Sequence, residues 1–139
     1  MGLPAATLAQ GGTDPHAKAN FIGKIKRTGS TATLRVHYRC ATGDALWVSA
    51  KQTKPAKKDR ALTKEHSSKV AAAWWQSHRN PFVCNGSYHT ATVTIDKVEP
   101  GSKGKLRKGK AWVQFCVTTD EDSLILSKSA WVGVRVVHR

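Results

Sequence analysis

The sequence has few acidic residues: nine Asp and Glu stand against 23 Lys and Arg in 139 residues, which gives a formal net charge of +14 at pH 7. This excess of one sign predicts a surface that attracts polyanions, such as nucleic acid, teichoic acid or acidic glycans, or an acidic partner protein. Long apolar runs are missing as well. Because no stretch approaches the roughly 18 apolar residues that a transmembrane helix needs, we expect no membrane insertion.

The chain also lacks the short motifs that mark a reaction centre. No histidine falls in an H-E-x-x-H pattern, and no serine occupies a G-x-S-x-G turn. His37 and His89 can lie on neighbouring strands and share a metal, but a histidine on the polar side of a strand is more often ordinary surface. The acidic cluster at 120–122 lacks the spaced ligands of a calcium loop. We therefore expect a protein that is not an enzyme and that holds no metal and no cofactor.

Cysteine is scarce, and Cys40, Cys84 and Cys116 form no C-x-x-C pair and have no histidine at zinc-finger spacing. This argues against a zinc site. Cys40 ends one predicted strand and Cys84 stands just before another, so we predict a disulfide between them. Closing the long intervening loop stabilises the fold by about 4 kcal/mol, because the unfolded chain loses entropy. Cys116 is expected to bond to neither, and the disulfide favours a secreted, extracellular protein.

Residues 33–40 form the clearest strand pattern in the chain, because apolar and polar side chains alternate without interruption. A period of two places the two sets on opposite faces of a strand. The apolar face, which ends in Cys40, belongs in a core. The other face carries Arg35, His37 and Arg39, whose polar groups must be solvated by water or contact a partner. We predict that these three side chains bind a partner.

Similar alternation predicts further strands at residues 21–26, Ala45–Gln52, Tyr88–Asp96, 111–117 and 131–137. Turn signals separate them, the strongest being Asn85-Gly86. Residues 61–80 are ambiguous, because Thr63 and the alanines favour a helix whereas 70–75 also fit a strand; we expect one short helix there. The spacing of the strands predicts an all-β fold, specifically a β-sandwich, with a barrel such as an OB-fold as the alternative.

Two runs of positive charge, at residues 53–60 and 100–110, lie between predicted strands. Such runs are usually solvated loops, and their functional interpretation is contact with an anion. The candidate anion-binding residues are Lys54, Lys57, Lys58, Arg60, Lys103, Lys105, Arg107, Lys108 and Lys110. Basic residues near tryptophans can also bind single-stranded nucleic acid by stacking. Most of the tryptophans are expected in the core, however, and there is no RNP-like motif, so nucleic acid is the less favoured partner.

The first 19 residues are rich in small residues and have little to bury. We therefore predict a flexible arm at 1–19, followed by a single β-sandwich domain at 20–139. The start of the arm is similar to the tail of a secretory signal, and the alternative is simply a flexible N-terminus. Leu3, Pro4 and Leu8 give an extended arm side chains to place in a groove or along a sheet edge of a partner. We expect the arm to be dispensable for folding but required for partner binding.

Several segments between residues 32 and 117 resemble small secreted actinobacterial proteins of immunoglobulin-like fold. They read YRC at 38–40, ALWVSAKQ at 45–52, AAAWWQSH at 71–78, VCNGSYHTATVTI at 83–95 and GKAWVQFC at 109–116. The resemblance implies secretion and an immunoglobulin-like antiparallel β-sandwich. The similarly shaped chromophore carriers of the neocarzinostatin type use two disulfides, which three cysteines cannot supply.

These features favour a non-enzymatic extracellular binding or adaptor module that links protein partners in a secreted assembly. Within the same group of proteins, the resemblance points to the adaptor subunit of an umbrella toxin particle, which joins lectin-bearing subunits to a stalk. One alternative is a cationic secreted effector that binds anionic cell-envelope polymers. The others are a nucleic-acid-binding protein and an enzyme of unrecognised type.

Overall fold

The structure is a computed structural model that describes residues 15–121 and 123–138. The described residues form seven strands and two short 3₁₀ turns, of which the turns lie between the third and fourth strands. The strands are β1 (Lys18–Thr28), β2 (Thr31–Arg39), β3 (Ala45–Gln52), β4 (Ala73–Ser77), β5 (Tyr88–Asp96), β6 (Gly109–Thr118) and β7 (Leu124–Val136). The turns are Arg60–Thr63 and Ser67–Lys69.

The strands close into a barrel in the order β1-β2-β5-β4-β3-β6-β7. Closure depends on a parallel pair, in which Ile25, Lys26 and Arg27 of β1 lie beside Val134, Arg135 and Val136 of β7. The predicted immunoglobulin-like antiparallel β-sandwich is therefore wrong, and the observed fold is a closed barrel of mixed strand directions. Alternation does not distinguish the two architectures, because the inward and outward faces of a strand alternate in both.

A register shift between Ile22 and Lys26 allows β1 to close the barrel. Gly23 lies within the shift at φ +71, a backbone conformation that glycine adopts without the steric cost of a Cβ atom. Such an irregularity bends a strand and re-aims the residues that follow it. The first half of β1 therefore pairs only with β2, whereas its second half also reaches β7.

The short helix predicted within residues 61–80 is also wrong. Two 3₁₀ turns begin the segment, the first capped by the Asp59 carboxylate, which accepts a hydrogen bond from the amide of Ala61. The segment ends in strand β4, where Trp75 is 1% exposed in the core while Trp74 points outward. Neighbouring residues lie on opposite faces of a strand, so burying Trp75 alone requires an extended backbone.

Among the described residues, no helix is long and apolar enough to cross a membrane.

The core fills the barrel with side chains from all seven strands, and its largest fully buried members are Trp75, Tyr38, Phe115 and Ile25. The predicted disulfide between Cys40 and Cys84 is confirmed, and it ties the end of β2 to the segment before β5. Cys116 is a free thiol on the outer side of β6, also as predicted. Burial raises the pKa of the Cys116 thiol, while the neighbouring Ser127 hydroxyl partly offsets the shift.

Tryptophans lie mainly on the outer surface of the barrel, contrary to the expectation that most would be in the core. Only Trp75 is fully buried, and the other four are partly exposed. Across β4, β3, β6 and β7, one row of register neighbours consists of Trp74, Lys51, Trp112 and Trp131. The rings of Trp112 and Trp131 lie 5.1 Å apart between centroids.

Lys51 is the buried cation of this row, and its side chain lies between the barrel and residues 53–72. Its ammonium group donates to the Ser67 hydroxyl at 2.9 Å and to the Gln114 amide oxygen at 3.1 Å. The Trp74 ring lies 5.9 Å from the same nitrogen. Burial lowers the pKa of Lys51 below its ordinary value of 10.5, because the charged form loses hydration.

Candidate anion-binding cleft

A cleft of about 530 Å³ opens at the end of the barrel where β1 and β7 pair, and we call it the basic cleft. Its floor is apolar and consists of Leu106, Val134 and Val136. Its remaining lining residues are all basic, and they come from β1, from the loop between β5 and β6, from the end of β7 and from the residues after it. They are Lys24, Arg27, Lys105, Arg107, Lys108, Arg135 and His138.

The parallel seam between β1 and β7 brings the strand residues of the cleft together. Lys26 of β1 is the register partner of Arg135, and the Val137 amide donates to the Arg27 carbonyl at 2.8 Å. The guanidinium of Arg27 donates through Nη1 to the Gly29 carbonyl at 2.9 Å. Its Nε is buried and has no hydrogen-bond partner among the described residues. The Arg27 guanidinium therefore lines the cleft while part of it is held by the turn that follows β1.

The loop between β5 and β6 is fixed to the barrel in the middle of its basic run. Leu106 is fully buried and belongs to the main core cluster. The Gln52 side chain, 1% exposed, donates through Nε2 to the Arg107 carbonyl and accepts from the Arg107 amide, both at 2.8 Å. Both polar backbone groups of Arg107 are thus satisfied by one buried amide side chain, and its guanidinium is left exposed.

Further contacts hold the rest of the loop. The Trp75 indole donates to the Gly104 carbonyl at 3.1 Å, and the backbones of Trp74 and Lys103 exchange two hydrogen bonds of 2.9 Å. Gly104 has φ +73, and a Cβ atom there would overlap the Ala72 carbonyl. The charge run therefore forms a close-packed loop whose backbone is held in place, which is not the case in a solvated tail.

No acidic residue lies among the described residues that line the basic cleft. Two acidic residues near the end of β4, Asp96 and Glu99, already pair with basic side chains outside the cleft. The Asp96 carboxylate accepts from Arg79 at 2.5 Å, and Glu99 accepts from Arg79 at 3.1 Å and lies 3.0 Å from His78 Nδ1. No described lining residue therefore neutralises the positive charge of the cleft, and an external anion can take that role.

Two smaller grooves share residues with the basic cleft and extend its positive surface. One, of about 370 Å³, is lined by Lys54, Lys97, Lys105 and Arg107 together with small and polar residues. The other, of about 460 Å³, contains Lys24, Lys26, Arg35 and Arg135. Because each groove shares two cations with the cleft, the three form one continuous basic surface that wraps around this part of the barrel.

The structure brings together only part of the predicted anion-binding set. Lys105, Arg107 and Lys108 line the cleft, and Lys54 lies in an adjoining groove. The other predicted members are exposed but do not line the cleft: Lys57, Lys58, Arg60, Lys103 and Lys110. Sequence reasoning missed Lys24, Arg27, Lys97, Arg135 and His138. Lys97 and Arg135 are single basic residues, and only the β1 and β7 pairing gives Arg135 a common location with the basic residues of β1.

The predicted partner-binding residues of β2 divide into two environments. Arg35 belongs to the basic surface. His37 stacks on Tyr88 with 4.9 Å between ring centroids, and Arg39 lies 5.6 Å above the same ring while donating to the Gly86 carbonyl at 2.7 Å. The other predicted partner-binding residues, Leu3, Pro4 and Leu8, lie outside the described residues, so the docking role of the arm stays a prediction.

Within the described ranges, no group of three or more His, Cys, Asp and Glu residues is arranged to hold a metal ion. His37 and His89 are register partners of Thr90 and Tyr38 respectively, so their side chains alternate to opposite faces of the sheet. The pair therefore does not converge on one ion. The chemistry that the cleft can offer is electrostatic and hydrogen-bonded recognition of an anion.

No protein-family model and no curated protein matches the chain. Among solved structures, it is similar to β-glucosidase 3B from Thermotoga neapolitana, solved in complex with α-D-glucose, at 12% identity and a TM-score of 0.31. The match covers 85% of this chain and spans 16% of the glucosidase chain. At that TM-score, the likeness carries no argument about fold or function.

Proposed function

We propose that the protein is a non-enzymatic extracellular module that binds an anionic polymer of a cell envelope through the basic cleft. The observation that carries the proposal is the placement of Lys105, Arg107 and Lys108 on a clamped loop, facing Lys24, Arg27 and Arg135 without an intervening acid. Exposed charges at random sites on a surface are not held in this way.

Fixed cations bind a polyanion better than mobile ones, because less conformational entropy is lost when the complex forms. Each exposed ion pair contributes only about 0.2–1 kcal/mol. Useful affinity therefore requires several contacts at once, which a polymer with repeated charges provides and a small anion does not. Arginines add specificity for phosphate or carboxylate, since the planar guanidinium can donate two parallel hydrogen bonds to either group.

An extracellular location is part of the proposal and is supported by the Cys40–Cys84 disulfide. Disulfides persist in oxidising compartments and are rare in the cytosol, where thiols are kept reduced. An anionic polymer of an envelope is a ligand that a secreted cationic protein meets directly. Nucleic acid shares the phosphate chemistry, and for that reason it enters the test as a competitor.

The test is a titration with linear polyphosphate, a phosphate polymer without bases or sugars. Reversing three loop charges in one variant (K105E, R107E and K108E) should weaken binding about 100-fold, because three contacts are lost and repulsion is added. The matched control reverses Lys57, Lys58 and Lys64, which are exposed on residues 53–72, and thus makes the same change in net charge.

Wild-type affinity in the control supports recognition by the cleft, whereas equal losses in both variants would mean that net charge alone attracts the polymer. Binding to single-stranded DNA that is much tighter than binding to polyphosphate would move the proposal from an envelope polymer to nucleic acid. Both outcomes are read at one fixed salt concentration, since exposed charges are screened by ions.

A further inference from the structure

The barrel has an open slit beside its closing seam. β1 and β7 pair only through Ile25–Arg27 and Val134–Val136, although both strands extend well beyond that seam. Beside it, residues of both strands line a groove of about 490 Å³ that we call the β1/β7 slit. Its lining residues are Asn20, Phe21, Gly23 and Lys24 on one side, and Lys110, Lys128, Ala130, Trp131, Val132 and Gly133 on the other.

The β7 side of the slit is a free strand edge. The Val137 amide donates to Arg27 of β1, and successive residues of a strand direct their backbone groups to alternate sides. Odd-numbered residues of β7 therefore direct their backbone groups toward the slit, among them Ser129 and Trp131. Within the described residues, no strand pairs with β7 on this side before the seam begins.

Burial along β7 confirms that the slit reaches toward the core. Lys128 and Ala130 have the same parity as Val132 and Val134, which are buried, yet both are only half-buried. Their register partners on β6, Phe115 and Val113, are covered completely. The difference lies on the β1 side, where no described strand pairs with this part of β7.

The charged residues that line the slit are all positive. Lys24, Lys110 and Lys128 line it, together with the apolar surfaces of Phe21, Trp131 and Val132, and none of its described lining residues is acidic. The stem of Lys24 lies across Gly133, where an added Cβ atom would meet it at 3.3 Å. A bound acidic segment can therefore pair with Lys24 near the seam, with Lys128 on β7 and with Lys110 on β6.

We propose that the β1/β7 slit binds an extended acidic segment of a partner protein, which adds to β7 as a further strand. An unpaired strand edge supplies main-chain hydrogen bonds to such a segment, and neighbouring side chains supply the specificity. From residue 127 to the seam, the edge accommodates about seven residues at ~3.3 Å each. Carboxylates of the segment pair with Lys110 and Lys128, and its apolar side chains cover Trp131 and Val132.

This interaction is separate from polymer binding in the basic cleft. Lys110 and Lys128 line the slit and not the cleft, whereas Lys105, Arg107 and Lys108 line the cleft and not the slit. Lys24 borders both, so it is left unchanged in the test. Each function can therefore fail without the other.

The probe is a synthetic peptide of alternating threonine and glutamate, and the control peptide has the same sequence with a methyl group on every backbone nitrogen. The two carry the same charge, but the methylated peptide has no backbone N–H donor for a strand ladder. Amide hydrogen exchange of the full chain is then measured by NMR. We expect the Thr-Glu peptide alone to protect the Ser129 and Trp131 amides.

Charge variants test the recognition. K110E combined with K128E should weaken Thr-Glu binding roughly tenfold, whereas K105E combined with K108E should leave it unchanged. Equal binding of the two peptides, absence of binding, or binding without protection of the two β7 amides would overturn the proposal.

A chain that lacks residues 1–14 supplies the last check. If the Ser129 and Trp131 amides are protected without peptide and lose that protection on truncation, the chain's own N-terminus is the occupant and the partner proposal is wrong.

Discussion

Gln52 joins the stability of the barrel to the geometry of the basic cleft. Its amide side chain is almost fully buried and makes both available hydrogen bonds to the backbone of Arg107. Replacing it with alanine removes the two bonds and leaves a buried donor and acceptor without partners. We therefore predict that Gln52→Ala both destabilises the fold and loosens the loop that carries Lys105 and Lys108.

The magnitude follows from the two hydrogen bonds. Each contributes about 0.5–1.5 kcal/mol, and an orphaned buried polar group adds a further desolvation cost of about 1–3 kcal/mol unless water reaches it. A loss of about 2–4 kcal/mol in the free energy of unfolding is expected for Gln52→Ala. Polyphosphate affinity should fall about tenfold, because three cations must now be ordered on binding.

Asn80 offers a matched control in the same barrel. Its side chain is also buried, and it clamps the backbone of Thr94 with two hydrogen bonds of 3.0 and 2.6 Å, away from the cleft. Urea unfolding should show a similar loss for Asn80→Ala, while calorimetric titration with polyphosphate should show unchanged affinity. If the two variants lose affinity equally, or if Gln52→Ala loses none, the loop is not preorganised by this clamp.

Three further predictions concern stability. Leu106→Ala should lower the free energy of unfolding by about 2–5 kcal/mol in urea, because a fully buried side chain leaves a cavity; a loss below the lower figure would mean that the loop is not anchored in the core. Because burial lowers the pKa of Lys51 in the folded state, the unfolded chain binds more protons between that pKa and 10.5, and stability should rise with pH in this range. Lys51→Met should abolish that rise. If the variant and the wild type show the same dependence of unfolding free energy on pH, Lys51 is not the group responsible. Replacing Cys40 and Cys84 together with alanine should cost about 4 kcal/mol, whereas Cys116→Ser should leave the thermal midpoint nearly unchanged.

Local alternation predicted the strands well where both faces of a strand have distinct environments. The predicted bounds Ala45–Gln52 and Tyr88–Asp96 coincide with β3 and β5, and the disulfide followed from the strand ends. Closure of the barrel was not predictable in this way, since it depends on the bend near Gly23 and on three residue pairs far apart in sequence. The helix was predicted from alanine content, whereas burial of Trp75 required a strand.

The basic cleft was predictable only from its loop. Lys105, Arg107 and Lys108 stand together in sequence, so a charge run identified them. Arg27 stands close to other basic residues of β1, whereas Arg135 is an isolated basic residue of β7, and nothing local indicates that they face the same cleft. The clamp by Gln52 was equally hidden, because a glutamine at the end of a strand is ordinarily surface.

The location of a bound polyanion tests the central claim most directly. In two-dimensional NMR spectra of the uniformly labelled protein, substoichiometric polyphosphate should shift the amide signals of residues 105–108 and of Arg27 and Arg135 more than any others. These shifts should shrink as salt is added, because exposed charges are screened. Shifts centred on His37, Arg39 and Tyr88, or spread evenly over all exposed lysines, would contradict binding in the cleft.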